Sequence, residues 1–103
     1  MRLPDDPIIR ELLPEFCAMW DTYLEGAWWP GIRTSRDSQE LYRFAHTVRG
    51  SFAQFGLPDG AELGLELVAA ARAGDWDACE ALVERLRGRL RDLKAALPPP
   101  CAP

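Results

Sequence analysis

Strand-forming sequence is nearly absent from this chain: Val, Ile and Thr never gather into runs, whereas Leu, Ala, Glu and Arg recur from end to end. That usage favours helices over a sheet. Cysteine is sparse and unpaired. Cys17, Cys79 and Cys101 are odd in number, widely spaced and free of any CxxC pair, which argues against a disulfide framework and against a zinc site. No apolar run approaches membrane-spanning length, and Met1-Arg2-Leu3-Pro4-Asp5-Asp6 turns acidic and proline-bearing at once, unlike an export signal. The expectation is a cytoplasmic protein with no membrane association. Excess positive charge is missing too. A formal net charge of −4 would repel a phosphate backbone, so no nucleic-acid partner is expected. The GxxxxGK phosphate loop is absent, and 103 residues leave no room for a catalytic domain beside one core. An autonomous enzyme is therefore not expected.

The residues that are present read as amphipathic helices. An apolar fraction of 48% suffices for one continuous core. Asp5 or Asp6 before Pro7 marks a helix start. Pro14 should interrupt that helix, giving a short opening helix to about Leu13 and a second from Pro14 to about Ala27. Trp28-Trp29-Pro30-Gly31 should end the second and give way to a loop to about Arg36. Asp37-Ser38-Gln39-Glu40 has capping-box spacing, with Glu40 reaching back, and opens a helix to about Phe55. Gly56 can take the left-handed closing conformation there. Asp59-Gly60-Ala61-Glu62 repeats the pattern and opens a helix ending at Gly74, after which Asp75 caps a last one. Trp76, Cys79, Leu82, Val83, Leu86, Leu90, Leu93 and Leu97 trace the apolar face of that last helix. Turns this short force antiparallel packing. The predicted fold is all-α, an antiparallel up-and-down four-helix bundle with a short extra N-terminal helix. It spans residues 1–97, and 98–103 form a proline-rich flexible tail in which Cys101 is incidental.

On the third helix Leu41, Phe44, Ala45, Val48, Phe52 and Phe55 share one side. His46, the chain's single histidine, projects roughly 140–150° from the centre of that stripe and is predicted to stand in solvent. Its helical neighbours are Tyr42, Arg43, Arg49 and Gly50. Glycine inside a helix costs about 0.5–1 kcal/mol relative to Ala, and something should offset that cost at Gly50. One turn beyond an exposed imidazole, a missing side chain leaves the ring open to another protein. A neutral imidazole is a nucleophile able to accept phosphate. Arg49 could balance the incoming charge through charge-assisted hydrogen bonds.

The run Ala45-His46-Thr47-Val48-Arg49-Gly50-Ser51-Phe52-Ala53-Gln54-Phe55-Gly56-Leu57 resembles the signature of histidine-phosphotransfer (HPt) domains. That pattern is His, any residue, an aliphatic, Lys or Arg, Gly, Ser or Ala, then an apolar-Gly pair. Leu67 to Leu97 resembles the family's last two helices, so the resemblance covers roughly residues 40–97. It implies a phosphocarrier in a two-component phosphorelay, with His46 phosphorylated on Nε2, Arg49 in the place usually held by Lys and Gly50 giving clearance. Tyr42, Arg43, Ala53 and Gln54 would meet the partner. The partners implied are receiver domains of response regulators or hybrid histidine kinases. No cofactor is implied for this chain, the magnesium ion belonging to the partner receiver. The first third departs from the family's usual appearance at Pro14 and at Trp28-Trp29-Pro30-Gly31, which bears on the partner surface and leaves the phosphoacceptor helix intact.

The main rival is an HPt-like interaction or inhibitor module that binds a kinase or regulator with His46 idle. Arg85, Arg87, Arg89, Arg91 and Lys94 suit the negative end of the last helix, with an anion or partner site as the alternative. Trp20 and Trp76 read as core. Trp28 and Trp29 cannot both face inward on one helix, so one should cover the bundle's end or join a docking patch. A closed core needs no second copy, and a monomer is expected.

Overall fold

In the computed structural model, which describes residues 3–97, every regular element is helical. Asp6 caps α1 (Pro7–Thr22), its carboxylate accepting from the Ile8 N–H at 2.9 Å with Pro7 in the first turn. The break expected at Pro14 does not occur. Pro14 faces solvent, while Leu13, Phe16, Cys17 and Trp20 are buried on the other side. Each large apolar side chain so buried contributes about 1.5–3 kcal/mol. Together they outweigh the roughly 3 kcal/mol that an internal proline costs.

α1 passes into a single π-turn over Tyr23–Ala27, closed by the Trp28 N–H on the Tyr23 carbonyl. This wider turn re-aims the chain. The loop expected over Trp28 to Arg36 is instead a second, short helix, α2 (Trp29–Ser35), with Pro30 in its first turn where a missing N–H costs nothing. Its driving force is burial: Trp29 and Ile32 are each 3% exposed, and Trp29 stacks on Phe44 at 5.5 Å. Arg36, with φ 56°, closes it in the left-handed region. The extra short helix thus comes after the first long helix instead of before it.

Asp37 caps α3 (Ser38–Gln54) by accepting from the Gln39 and Glu40 N–H groups at 3.0 and 3.1 Å. The reciprocal half of the capping box is replaced: the Asp37 N–H donates to Ser35 Oγ, and Glu40 is engaged elsewhere. Gly56, at φ 69°, ends the helix. The Leu57 N–H reaches the Phe52 carbonyl and the Gly56 N–H reaches Ala53, the bond pair of a Schellman close. α4 (Pro58–Ala73) starts earlier than the Asp59 pattern implies. Proline is pre-organised for a first helical position, and buried Leu57 docks the turn behind it. Gly74 closes α4, and Asp75 caps α5 (Trp76–Ala96) through the Ala78 N–H at 3.0 Å.

The four long helices alternate in direction. Phe16 meets Phe52 and Phe55, while Trp20 meets Phe44, so α1 and α3 run antiparallel. Glu66 pairs with Arg85 across α4 and α5, and Asp21 and Glu25 pair with Lys94 and Arg87 across α1 and α5. Arg87 also meets Glu84 and the Leu24 carbonyl, and Arg89 pairs with Asp92. Most of the basic residues of α5 are therefore engaged in structural pairs. α2 covers one end of the bundle, tied to α5 by Arg33 on Glu80 and by Arg36 over the Trp76 ring at 4.8 Å. Trp20 is fully buried as expected. Trp76, read as core, is only half-buried because α5 begins there and Arg36 forms its outer wall. Trp29 enters the core, whereas Trp28 stays half-buried and donates its indole N–H to Glu40 at 3.1 Å. The predicted tail, 98–103, lies outside the described residues.

Candidate functional site

α3 presents His46 at its midpoint. Leu41, Phe44, Ala45, Val48 and Phe52 are buried on one side, which leaves His46, Arg49 and Gly50 exposed on the other. Helical side chains lean toward the N-terminus. The imidazole accordingly meets Tyr42, one turn earlier, edge to face at 4.4 Å between ring centres and 77° between planes. Arg49, one turn later, is exposed on the same side of the helix and borders the groove that runs toward Ala53 and Gly56.

Tyr42 is held from the next helix. The Arg72 guanidinium of α4 lies over its ring, 5.6 Å from the centroid, and Arg72 Nη2 donates to Tyr42 Oη at 2.9 Å. Arg43, expected at a partner surface, is exposed and pairs with Glu40 at 2.8 Å; Glu40 also takes the Trp28 indole. The Thr47 hydroxyl donates to the Arg43 carbonyl at 2.8 Å, so the other polar group beside His46 is committed to backbone.

The glycines around the site divide sharply. Among the described residues a Cβ built at Gly50 meets nothing within 4 Å, so their packing does not require glycine there. At Gly64 the same atom would fall 2.4 Å from the Arg49 backbone N, and at Gly60 it would fall 2.0 Å from the Phe52 ring. These two α4 glycines let the helices approach closely and fix the backbone from which Arg49 projects. Ala53 lines a shallow groove with Arg49, Ala61 and Leu65, and Leu65 is 52% exposed. Gln54 is not brought to the ring: eight residues on, it lies about 12 Å further along the axis.

Arg72, Gly64 and Leu65 are the residues that sequence reasoning passed over. A register argument could have found Arg72, because in an antiparallel pair joined at Leu57 the residues equally distant from the turn face one another, and Tyr42 and Arg72 are such a pair.

The thiols do not compete with the imidazole. Cys17 and Cys79 are buried; burial first, then the Asp75 charge, pushes the Cys79 thiol up to about 11. Burial likewise raises Cys17. Both stay protonated near neutrality, and a thiol is a poor nucleophile in that form. Among the described residues no group of three or more His, Cys, Asp or Glu side chains could hold a metal ion. No helix among them is long and apolar enough to cross a membrane.

The family model described as the Hpt domain matches residues 11–96, reaching from α1 to the end of α5. The chain belongs to the Hpt domain family. Hpt domains are histidine-phosphotransfer modules of phosphorelays, carriers of a phosphoryl group that interact with receiver domains and kinases. No curated protein and no solved structure matches the chain. Within this Hpt bundle the exposed imidazole, the adjacent arginine and the unobstructed Gly50 lie together on α3, and the aromatic support beneath the ring comes from the α3–α4 pair.

Proposed function

We propose that the chain is a cytoplasmic, monomeric phosphotransfer protein that accepts and donates a phosphoryl group on His46. The observation that carries this reading is an imidazole exposed at the middle of a helix, with open space one turn beyond it at Gly50. The Nε2 lone pair attacks the phosphorus of an aspartyl phosphate on a receiver domain. The nitrogen–phosphorus bond forms as the phosphorus–oxygen bond breaks, and the aspartate carboxylate leaves with the electron pair. The reverse step hands the group on. Because the transition state is loose, positioning and charge neutralisation supply most of the assistance.

Arg49 balances the charge on the transferred group, and Gly50 keeps the approach clear for the receiver. The groove bounded by Ala53, Ala61 and exposed Leu65 offers that partner an apolar contact beside the site. Tyr42, Arg43 and Gln54 complete the partner face, Gln54 at its far end and away from the ring. Any divalent cation belongs to the receiver, and this chain works without a cofactor of its own.

The test is transfer of label from a phosphorylated receiver domain. Wild type is expected to take the label and His46→Gln to take none. Equal labelling of both would place the acceptor elsewhere, and no labelling of wild type from several donors would leave a binding module with an idle histidine.

A further inference from the structure

The established signature stops at α3, yet the ring beneath His46 is gripped from α4. Tyr42 is half-buried, the guanidinium of Arg72 covers its face, and its hydroxyl accepts from Arg72 Nη2 at 2.9 Å. The same tyrosine ring meets the imidazole edge to face, 4.4 Å between ring centres. One guanidinium thus holds the aromatic ring at both its face and its hydroxyl, and that ring forms the wall toward which a helical histidine naturally leans. Among the described residues Arg72 has no carboxylate partner. Its hydrogen bond to Tyr42 leaves further guanidinium N–H donors, since the fork carries five.

We propose that Arg72 is a positioning residue for phosphotransfer, acting through Tyr42: it holds the tyrosine ring so that the His46 imidazole keeps one orientation toward solvent. This rests on His46 being the phosphoacceptor. An imidazole free to rotate over an unfixed Tyr42 would present its nitrogen in the productive direction for only part of the time. Transfer rates respond steeply to such misplacement, because alignment of the reacting atoms carries a large share of the barrier.

Arg72→Ala and Tyr42→Phe separate this role from simple charge. Arg72 is exposed, and Tyr42→Phe keeps the ring while removing the acceptor of the Arg72 hydrogen bond, so both chains should fold. Each variant is expected to slow transfer from a phosphorylated receiver about three- to tenfold, the range set by one hydrogen bond. The double variant is expected to be no slower than the slower single, because the two residues act as one unit. In the unphosphorylated protein, the His46 ring-proton resonances, displaced by the tyrosine ring current, should move toward free-imidazole positions in both variants. Arg89→Ala, which removes the same charge from α5, serves as the control and should change neither readout.

A slow Arg72→Ala beside an unchanged Tyr42→Phe would mean that the guanidinium acts by charge alone and would overturn the proposal. So would normal rates and unmoved ring signals in both variants while wild type still takes label. A wild-type chain that takes no label would instead overturn the phosphocarrier reading itself, a result that the ring signals do not imitate.

Discussion

Gly50 and Gly64 are the same residue type on facing helices, yet they answer to opposite demands. A methyl group at Gly50 meets open space, and alanine is favoured over glycine within a helix by about 0.5–1 kcal/mol. Gly50→Ala should therefore raise the urea midpoint while lowering the rate of transfer from a phosphorylated receiver. A variant that is both more stable and equally fast would remove the clearance role. At Gly64 the added atom strikes the Arg49 backbone at 2.4 Å, where no side-chain rotation can relieve it. Gly64→Ala should destabilise by about 1–3 kcal/mol, the usual cost of overpacking, and an unchanged midpoint would show that α4 can retreat freely. Much of the site was legible because His46, Arg49 and Gly50 are neighbours along one helix, where spacing alone decides which side chains share a face. Arg72 was not. Its nearness to Tyr42 depends on the register of two helices, and no local pattern in α4 announces it.

The helices show the same division between local and tertiary information. Asp37 and Asp75 cap where sequence placed them, Asp6 is the one of the Asp5–Asp6 pair that caps α1, and Gly56 and Gly74 take the left-handed turns that end α3 and α4. Local chemistry governed those ends. The first third was misread where packing overrides it: Pro14 stays within α1 because its neighbours are anchored in the core, and Pro30 sits inside α2 because Trp29 and Ile32 are buried there. Pro14 remains costly even so. Pro14→Ala should restore a helical N–H on the exposed side and stabilise by up to roughly 3 kcal/mol, read as a rise in urea midpoint. A loss of stability would show that the proline pre-organises α1 more than it weakens it.

At the scale of the whole molecule, the buried thiols bear on how the fold tolerates alkali. The Cys79 thiol, ordinarily near 9.0, is held protonated up to about 11 in the folded chain. Unfolding releases that constraint. The stabilisation is therefore complete below about pH 9 and fades as pH climbs toward 11, because the unfolded chain loses its proton first. Cys17 shifts in the same direction. Replacing Cys79 by alanine should flatten this alkaline decline in a series of urea titrations, beyond any constant loss from the smaller side chain. An equally steep decline would assign it to other groups.

The first turns of α1 stand partly clear of the core: Ile8 is 67% and Leu12 is 42% exposed before Leu13 is buried. Pro14 offers no N–H to the carbonyl one turn back, so these opening turns are joined to the remainder by a weakened ladder. Amide deuteration should consequently run fastest over residues 8–12 and slowest within α3, with a step in protection at Pro14. The discontinuity that proline fails to impose on the static helix would then surface as a boundary in time, allowing the projecting end to fray and re-form while the imidazole's scaffold stays shut.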